Sequence, residues 1–405
     1  MTSYFKEYFE FKTLFLCLAL VAIGLISVYS ATYDAGATTT FYKQSMWAIA
    51  GFVAMAIAAF VPLKIIQRIA FPSYVIVIVV LAVLLVVGKT ISGSKSWFGV
   101  GGFGIQPSEI AKVTTILALA AFLAKTTTRL TALKDVLIAI AIVGVPMGLV
   151  LAQPDLGTSV VFFGMLLPVL YWAGVSNFLL SVILAPVIVG AGALFGTTVF
   201  LISLVVAGTM LYVTRENRFA AAVVFGLTLM VGVSVQTVYE RMPAYQQKRI
   251  MTFIDPEADP LGAGYNVLQS KVAIGSGGMF GKGYLRGSQT QLNFIPEQWT
   301  DFIFCVPGEE FGLVGASLVL ILFTALFLRG FAIASLAKNK FGSITAIGIT
   351  AVLAVHTFIN IGMSMGLMPV IGIPLPYLSY GGSALLANMT MAGLLMNVYA
   401  NRKEY

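Results

Sequence analysis

The chain has 405 residues, of which 59% are hydrophobic and only 10% are charged, with a formal net charge of +8. A soluble domain carries about 25% charged residues, so this chain cannot cover its apolar side chains with a polar surface and must have lipid as its solvent. Its basic balance does not indicate nucleic-acid binding, because cations in a membrane protein first have to be assigned to the two sides of the bilayer. Cys17 and Cys305 lie in hydrophobic stretches and predict no disulfide.

Apolar segments long enough to cross the hydrocarbon recur along the whole chain. Backbone in hydrocarbon must satisfy its own hydrogen bonds, which makes each of these segments a helix. The first is interpreted as a retained span, because it is long and lacks a small-residue cleavage site. The sequence therefore predicts an all-α polytopic membrane protein with about twelve spans, at 11–30, 45–62, 72–88, 107–124, 134–151, 156–173, 177–195, 197–213, 218–237, 301–328, 342–366 and 379–400.

The distribution of Lys and Arg predicts the orientation of these spans. With the N-terminus in the cytoplasm, the short outer connections carry only Lys43, Lys89 and Lys95. The inner connections then hold the larger share of cations, at Lys6, Lys12, Lys64, Arg68, Lys125, Arg129, Lys134, Arg215, Arg218, Arg329, Lys338, Lys340, Arg402 and Lys403. This positive-inside pattern predicts cytoplasmic termini and places the long polar segment 238–300 outside.

The segment 238–300 is the one long interruption of the hydrophobic pattern, and it is basic. Its cations are Arg241, Lys248, Arg249, Lys271, Lys282 and Arg286. They either belong to a solvated surface or bind an anionic ligand, such as a lipid phosphate or diphosphate, through charge-assisted hydrogen bonds. The glycines between 275 and 283 favour the ligand, since clustered N–H groups and a lysine can hold phosphate oxygens, although a tightly turning loop also needs glycine. Apolar residues at 267–274 predict a surface helix within the segment.

Acidic residues at bilayer depth are costly and are therefore functional candidates. Glu109 and Lys112 are three residues apart on one helix face and predict an ion pair, either structural or lining a polar cavity, with Ser108 as the helix cap. Asp155 precedes a span, where capping the helix is the simpler explanation. Glu309 and Glu310 lie in the predicted span 301–328 with no sequence-local cation.

Asp301 is the most informative acid in the sequence. It ends the polar stretch 296–300 and precedes Phe302, Ile303 and Phe304. A carboxylate placed half in water and half in an apolar wall can have a pKa suited to a general base, and helix capping alone would also explain it. His356, the only histidine, cannot form a usual multi-histidine metal site and is interpreted as a packing residue. No nucleophilic triad, zinc pattern or dinucleotide fingerprint appears.

These motifs resemble those of a known family, the SEDS proteins (shape, elongation, division and sporulation), which are membrane glycosyltransferases that polymerise peptidoglycan from lipid II. The resemblance covers nearly the whole chain. It is carried by Gln106-Pro107-Ser108-Glu109 with Lys112, 153–159, 255–260, 269–278, Pro296-Glu297 with 300–304, Gly308-Glu309-Glu310, Pro374-Leu375-Pro376 and Ser379-Tyr380-Gly381-Gly382-Ser383. The sequences at 273–275 and 369–372 resemble those of the elongation branch of the family rather than those of the division branch.

The resemblance implies a single membrane domain over 1–405 with one large extracytoplasmic loop at 238–300. The family typically has about ten spans, so an extra helical hairpin is expected within 177–213. A second departure is Trp299, which stands where a histidine often precedes the Thr-Asp pair.

The resemblance also implies an activity and a site. The family's catalytic aspartate corresponds to Asp301. The expected substrate-binding residues are Lys248, Arg249, Lys271, Lys282, Arg286, Glu109, Lys112, Asp155 and Ser379. No protein-held metal or organic cofactor is expected, although a divalent cation (Mg²⁺ or Mn²⁺) could assist departure of the diphosphate.

Further implications concern partners, location and the rival functions. The expected partners are lipid II, a class B penicillin-binding protein and other membrane proteins of the elongation machinery, but no nucleic acid. The expected location is the bacterial cytoplasmic membrane. A lipid II flippase, as one kind of transporter, and a non-catalytic scaffold are the alternatives, since polytopic form and intramembrane acids suit a transporter as well.

Overall fold

The computed structural model describes residues 8–34, 36–91, 94–100, 103–128, 130, 132–242, 247, 251, 253, 264–292, 294–296 and 298–404. Lys248 and Arg249 and the 255–260 motif lie outside these residues. The chain divides into two compact units, one formed by 1–129, 137–169 and 265–405 and the other by 130–136 and 170–264.

Long helices dominate the described part of the chain, which confirms the predicted fold class. In chain order they are α1 Phe11–Tyr33, α2 Thr38–Phe60, α3 Leu63–Val87, α4 Pro107–Leu123, α5 Leu133–Ala152, α6 Leu156–Ala173, α7 Asn177–Leu194, α8 Thr197–Thr214, α9 Arg218–Arg241, α10 Tyr265–Ser276, α11 Ser288–Gln291, α12 Cys305–Glu310, α13 Gly312–Leu336, α14 Lys340–Ser364 and α15 Gly382–Ala400. Within the described residues, 11 helices are long and apolar enough to cross a membrane. The predicted span at 107–124 corresponds to α4, which has 17 residues and is buried along almost its whole length.

The first unit is built around three buried helices. α4, α14 and α15 are almost entirely enclosed, and α4 packs against α3, α14 and α15. α2 packs along α15, where the backbone of Gly393 approaches the Met55 carbonyl so closely that there is no room for a Cβ. Polar side chains bind carbonyls inside this bundle, as where Asn397 Nδ2 donates to the Val61 carbonyl at 2.6 Å. Such internal pairing is required where no water reaches the backbone.

The second unit contains a three-helix cluster. α7, α8 and α9 pack on one another around Ala185, Val189, Ala207 and Leu211. α7 and α8 form a helical hairpin in the predicted 177–213 region, with Gly196 at φ +96° before α8. That this hairpin is additional to the family core remains a prediction.

Two local features differ from the sequence prediction. Residues 89–105, expected to be a simple outer connection, contain a three-stranded antiparallel sheet of β1 Lys89–Ile91, β2 Ser94–Val100 and β3 Phe103–Ile105. Ser108 was expected to cap α4, but the N-cap is Gln106 and Pro107 takes the first helical position. Proline suits that position because its φ is preset and it has no N–H to leave unpaired. The helix thus begins at the predicted start of the span, and Ser108 lies inside it instead of capping it.

The predicted span at 301–328 begins later than expected. Residues 301–304 are turns, followed by the short helix α12, and the long helix α13 starts only at Gly312, whose φ is +62°. Hydrophobicity alone placed the start at Asp301, because the turns and α12 are as buried as a span. Asp301, Glu309 and Glu310 therefore precede the spanning helix α13.

Candidate active site

A buried irregular segment between α14 and α15, residues 371–380, is the scaffold of the candidate site. Ile373, Leu375 and Tyr377 in this segment are almost completely buried. Two prolines, Pro374 and Pro376, remove N–H donors from it. Side chains of neighbouring helices bind part of its remaining backbone, including the Ile371 N–H and the Ile373 carbonyl.

Asp301 lies against the 371–380 segment. Asn360 Nδ2 donates to the Asp301 carbonyl at 2.8 Å, and Ser379 Oγ donates to the Thr300 carbonyl at 2.6 Å. Gly372, which has a φ of +67°, faces this carboxylate: a Cβ added to it would lie 3.3 Å from Asp301 Oδ2. The Asp301 side chain is half-buried, whereas residues 302–304 are fully buried. This matches the predicted position between water and an apolar wall, and its role as a base is untested by the geometry.

Ser379 forms hydrogen bonds with three parts of the chain. Its Oγ accepts from the Leu375 N–H at 2.7 Å while it donates to Thr300, and its carbonyl accepts from Gln44 Nε2 at 3.0 Å. The serine thus connects the 371–380 segment, the residue before Asp301 and α2. Its predicted contact with substrate stays a prediction.

Glu109 and Lys112 form the predicted ion pair, and both side chains are buried. Lys112 Nζ lies 2.9 Å from each carboxylate oxygen of Glu109. It also lies 2.7 Å from His356 Nε2, a contact that could not be predicted from sequence because the two residues are 244 positions apart. His356 Nδ1 in turn faces the Pro374 carbonyl at 3.3 Å. An ammonium group can only donate, so Nε2 accepts and Nδ1 carries the hydrogen towards Pro374.

Asp155 caps α6, as the simpler interpretation of its position predicted. Its Oδ1 accepts from the Thr158 N–H at 3.0 Å, and its Oδ2 accepts from Thr158 Oγ1 at 2.9 Å and from Gln106 Nε2 at 3.0 Å. Two residues later, an added Cβ at Gly157 would lie 2.8 Å from the Ile371 carbonyl. The first turn of α6 therefore packs directly on the 371–380 segment, close to the residues that surround Asp301.

Lys271 is a described loop cation that lies beside the end of α14. It is exposed on α10, the helix predicted within the loop, and its Nζ would be 3.7 Å from a Cβ on Gly366, two residues after α14 ends. α10 is fixed there by Ser270, whose Oγ donates to the Ser364 carbonyl at 2.6 Å. An exposed ammonium at this position is available for an anionic ligand.

Lys282 and Arg286 are placed differently. Lys282 Nζ contacts Glu309 Oε1 and Ser288 Oγ, both at 2.7 Å. Arg286 is exposed. No cation lies near Glu309 in the sequence, because its partner Lys282 is 27 residues upstream. The role of Lys282 and Arg286 in substrate binding stays a prediction.

The two adjacent glutamates have opposite protonation preferences. Burial alone would raise the pKa of Glu309, but the hydrogen bonds from the Gln289 and Thr290 backbone N–H groups and from Lys282 outweigh it and hold this pKa below its usual value. Burial raises the pKa of Glu310, although hydrogen bonds from Ser30 and Gln291 oppose the shift. Glu309 is therefore a buried carboxylate, and its role in the described structure is to join Lys282 to α11.

The described residues contain no group of three or more His, Cys, Asp or Glu side chains that could hold a metal ion. The site instead has one half-buried carboxylate whose backbone is bound by Asn360, an exposed ammonium beside the end of α14, and a buried ion pair that is connected through His356 to the Pro374 carbonyl. Such an arrangement can accept a proton from a ligand hydroxyl and hold a negative charge. The fold and site thus define a polytopic helical membrane protein with a polar site on one internal scaffold.

Comparison with known protein families identifies the group to which the chain belongs. The model of the "Cell cycle protein" family, which joins FtsW, RodA and SpoVE, matches residues 11–219 and 181–404. The chain is a member of this family. Its two matched ranges overlap across most of the predicted 177–213 hairpin region.

Individual relatives match over nearly the full chain. Peptidoglycan glycosyltransferase MrdB of Escherichia coli K12 is 36% identical over 403 residues, covering 99% of this chain and 96% of the relative. Peptidoglycan glycosyltransferase RodA of Treponema pallidum is 34% identical, covering 97% and 98%. Stage V sporulation protein E of Bacillus subtilis is 34% identical, covering 94% of each chain.

Solved structures share the fold. A chain of a peptidoglycan synthase complex that coordinates polymerization and crosslinking superposes with a TM-score of 0.75 at 27% identity, covering 98% of this chain and 99% of that one. The rod shape determining protein RodA of Thermus thermophilus superposes with a TM-score of 0.66 at 25% identity, covering 98% of each chain. The chain is therefore a multi-pass membrane protein.

Proposed function

We propose that this chain polymerises lipid II into glycan strands at the outer face of the cytoplasmic membrane during cell elongation, with Asp301 as the general base. The chain is a peptidoglycan glycosyltransferase: relatives with that name are 34–36% identical to it across nearly their whole length. The elongation role is supported by MrdB and RodA among these relatives.

The observation that carries the proposed mechanism is the placement of Asp301. Its backbone is fixed by Asn360, its carboxylate stands over the Cβ-free Gly372, and its side chain is half-exposed at the edge of a buried wall. A carboxylate held in this way can take the proton from the sugar 4-hydroxyl of one lipid-linked disaccharide as that oxygen attacks the anomeric carbon of another. The bond from the anomeric carbon to the diphosphate oxygen breaks, and undecaprenyl diphosphate leaves with the electron pair.

The leaving diphosphate needs positive charge near it. Lys271 is the described loop cation best placed to supply it, since it is exposed beside Gly366. Lys248, Arg249, Lys282 and Arg286 are further candidates from the sequence. A Mg²⁺ or Mn²⁺ ion is a further candidate for this role, since it would neutralise negative charge on the leaving diphosphate.

The positive-inside pattern supports cytoplasmic termini and an outward-facing 238–300 loop. A class B penicillin-binding protein is the proposed partner. This is supported by the likeness to a chain of a peptidoglycan synthase complex. Other membrane proteins of the elongation machinery are proposed from the resemblance of the sequence motifs to the elongation branch of the family.

The test of this function is a reconstitution. Purified protein with its transpeptidase partner is given lipid II in detergent, and glycan polymer is measured for the wild type, for Asp301→Asn and for a matched control, Asp34→Asn. Asp34 is an exposed acid at the end of α1, on the same proposed side of the membrane. We expect the control to polymerise normally and Asp301→Asn to be nearly inactive.

Either of two results would contradict the proposal. Substantial polymer from Asp301→Asn would remove Asp301 as the base. Absence of polymer from the wild type would favour a flippase or a scaffold, because detergent offers no second leaflet to which a lipid could be moved.

A further inference from the structure

One buried amide on α14 binds two separate parts of the candidate site. Asn360 is fully buried, and its Nδ2 donates to the Asp301 carbonyl and to the Ile373 carbonyl, each at 2.8 Å. The two hydrogens of one amide group therefore join the backbone that carries the proposed base to the backbone that faces its carboxylate. Asn360 Oδ1 is buried with no hydrogen-bond partner, which fits a side chain oriented by its two donated bonds.

The glycine next to Ile373 explains why the two hydrogen bonds of Asn360 affect the Asp301 carboxylate. Gly372 precedes Ile373, and a Cβ on it would be 3.3 Å from Asp301 Oδ2. A shift of Ile373 relative to Asp301 would change the space available to the carboxylate. Because buried carbonyls without partners are costly, the Asn360 amide keeps this spacing at a fixed value.

A second side chain on α14 fixes the same segment. His356 lies four residues before Asn360, which places the two on one helix face, and its Nδ1 faces the next carbonyl, that of Pro374, at 3.3 Å. Its Nε2 contacts Lys112 at 2.7 Å. Two successive carbonyls are thus bound from one helix, and the His356 bond connects them to the buried ion pair of Lys112 with Glu109.

We propose that Asn360 is a positioning residue for Asp301, which sets the placement of the carboxylate by bonding the Asp301 and Ile373 carbonyls together. This inference rests on the proposed function, in which Asp301 is the general base. A misplacement of about 1 Å can lower a rate by about 10²-fold, so loss of this amide affects turnover more than substrate affinity.

The experiment compares Asn360→Ala, Asn360→Asp and a control, Asn397→Ala, in the lipid II assay with the transpeptidase partner. Asn397 is also a buried asparagine on a spanning helix whose amide donates to backbone carbonyls, but these are the carbonyls of Ala58, Ala59 and Val61. The Asn360→Asp substitution keeps the shape of the side chain and removes the N–H donors. Turnover, the KM for lipid II and thermal stability are measured for each variant.

We expect kcat to fall by about 10²-fold in both Asn360 variants while KM changes by less than about threefold. Asn397→Ala loses stability to a similar degree but keeps its kcat. Asn360→Ser retains one donor and replaces the alanine variant if that protein does not fold, with an intermediate kcat as the expected result.

Four outcomes overturn the inference. A wild-type kcat in the Asn360 variants, with Asp301→Asn inactive, refutes the positioning role and leaves the proposed function standing. An equal loss of kcat in Asn397→Ala reduces the effect to general destabilisation. Loss through KM alone assigns Asn360 to substrate binding instead. Polymer formation by Asp301→Asn removes both the proposed base and the positioning residue.

Discussion

Replacing Glu109 by glutamine tests whether the buried Lys112 depends on its carboxylate. Lys112 is 0% exposed, and its Nζ lies 2.9 Å from its charged partner Glu109 and 2.7 Å from the neutral ring of His356. Two unit charges about 4 Å apart attract by about 4 kcal/mol at an effective dielectric constant of about 20. Removing one partner of a buried pair costs about 3–5 kcal/mol, because the remaining charge is left without compensation.

We therefore expect Glu109→Gln to lower the free energy of unfolding by about 3–5 kcal/mol, measured by denaturant titration in bicelles. The double variant Glu109→Leu with Lys112→Met removes both charges and keeps similar volumes, so its stability is expected within about 1 kcal/mol of the wild type. Polymerisation by the double variant then separates a structural ion pair, which would leave activity intact, from the predicted role in substrate binding. Wild-type stability in Glu109→Gln would refute the dependence of Lys112 on this carboxylate.

Two further predictions follow from Gly372 and Glu309. Gly372→Ala is expected to lower the unfolding free energy by about 1–2 kcal/mol because of the positive φ, and to lower polymerisation because the new Cβ crowds Asp301. The control Gly36→Ala has a φ of +65° with open space around it, so it is expected to lose stability only. Equal polymerisation by the two variants would contradict this prediction. The pKa of Glu309 is lowered in the folded protein, so its charge contributes stability at pH above its unfolded pKa of about 4.3. This stability is lost as the pH falls through the folded pKa. Glu309→Gln is therefore expected to lower the unfolding free energy by about 1.5–3 kcal/mol at neutral pH and to have no such effect in strong acid. A pH-independent difference in unfolding free energy would show that the charge is not the cause.

Much of the membrane architecture was predictable because span length is a local property. About 20 apolar residues suffice to indicate a crossing helix, and the observed helices follow the predicted order. Local chemistry also identified the Glu109–Lys112 pair, which is one helical turn apart, and the cap at Asp155, whose partner Thr158 is three residues away. The predicted start of the span at Asp301 was wrong, because buried turns and a spanning helix are equally apolar in sequence.

The arrangement of the candidate site was decided by the tertiary structure alone. The contact of His356 with Lys112 joins residues 244 positions apart, and the bond from Asn360 to Asp301 crosses 59. No periodicity or spacing rule encodes such pairs, since they depend on which helix faces meet in the folded bundle. The sequence by itself determined that Asp301 stands at the border between a polar loop and an apolar wall. The packing of α14 and the 371–380 segment determined what holds it there, because only folding brings buried carbonyls and their donors together.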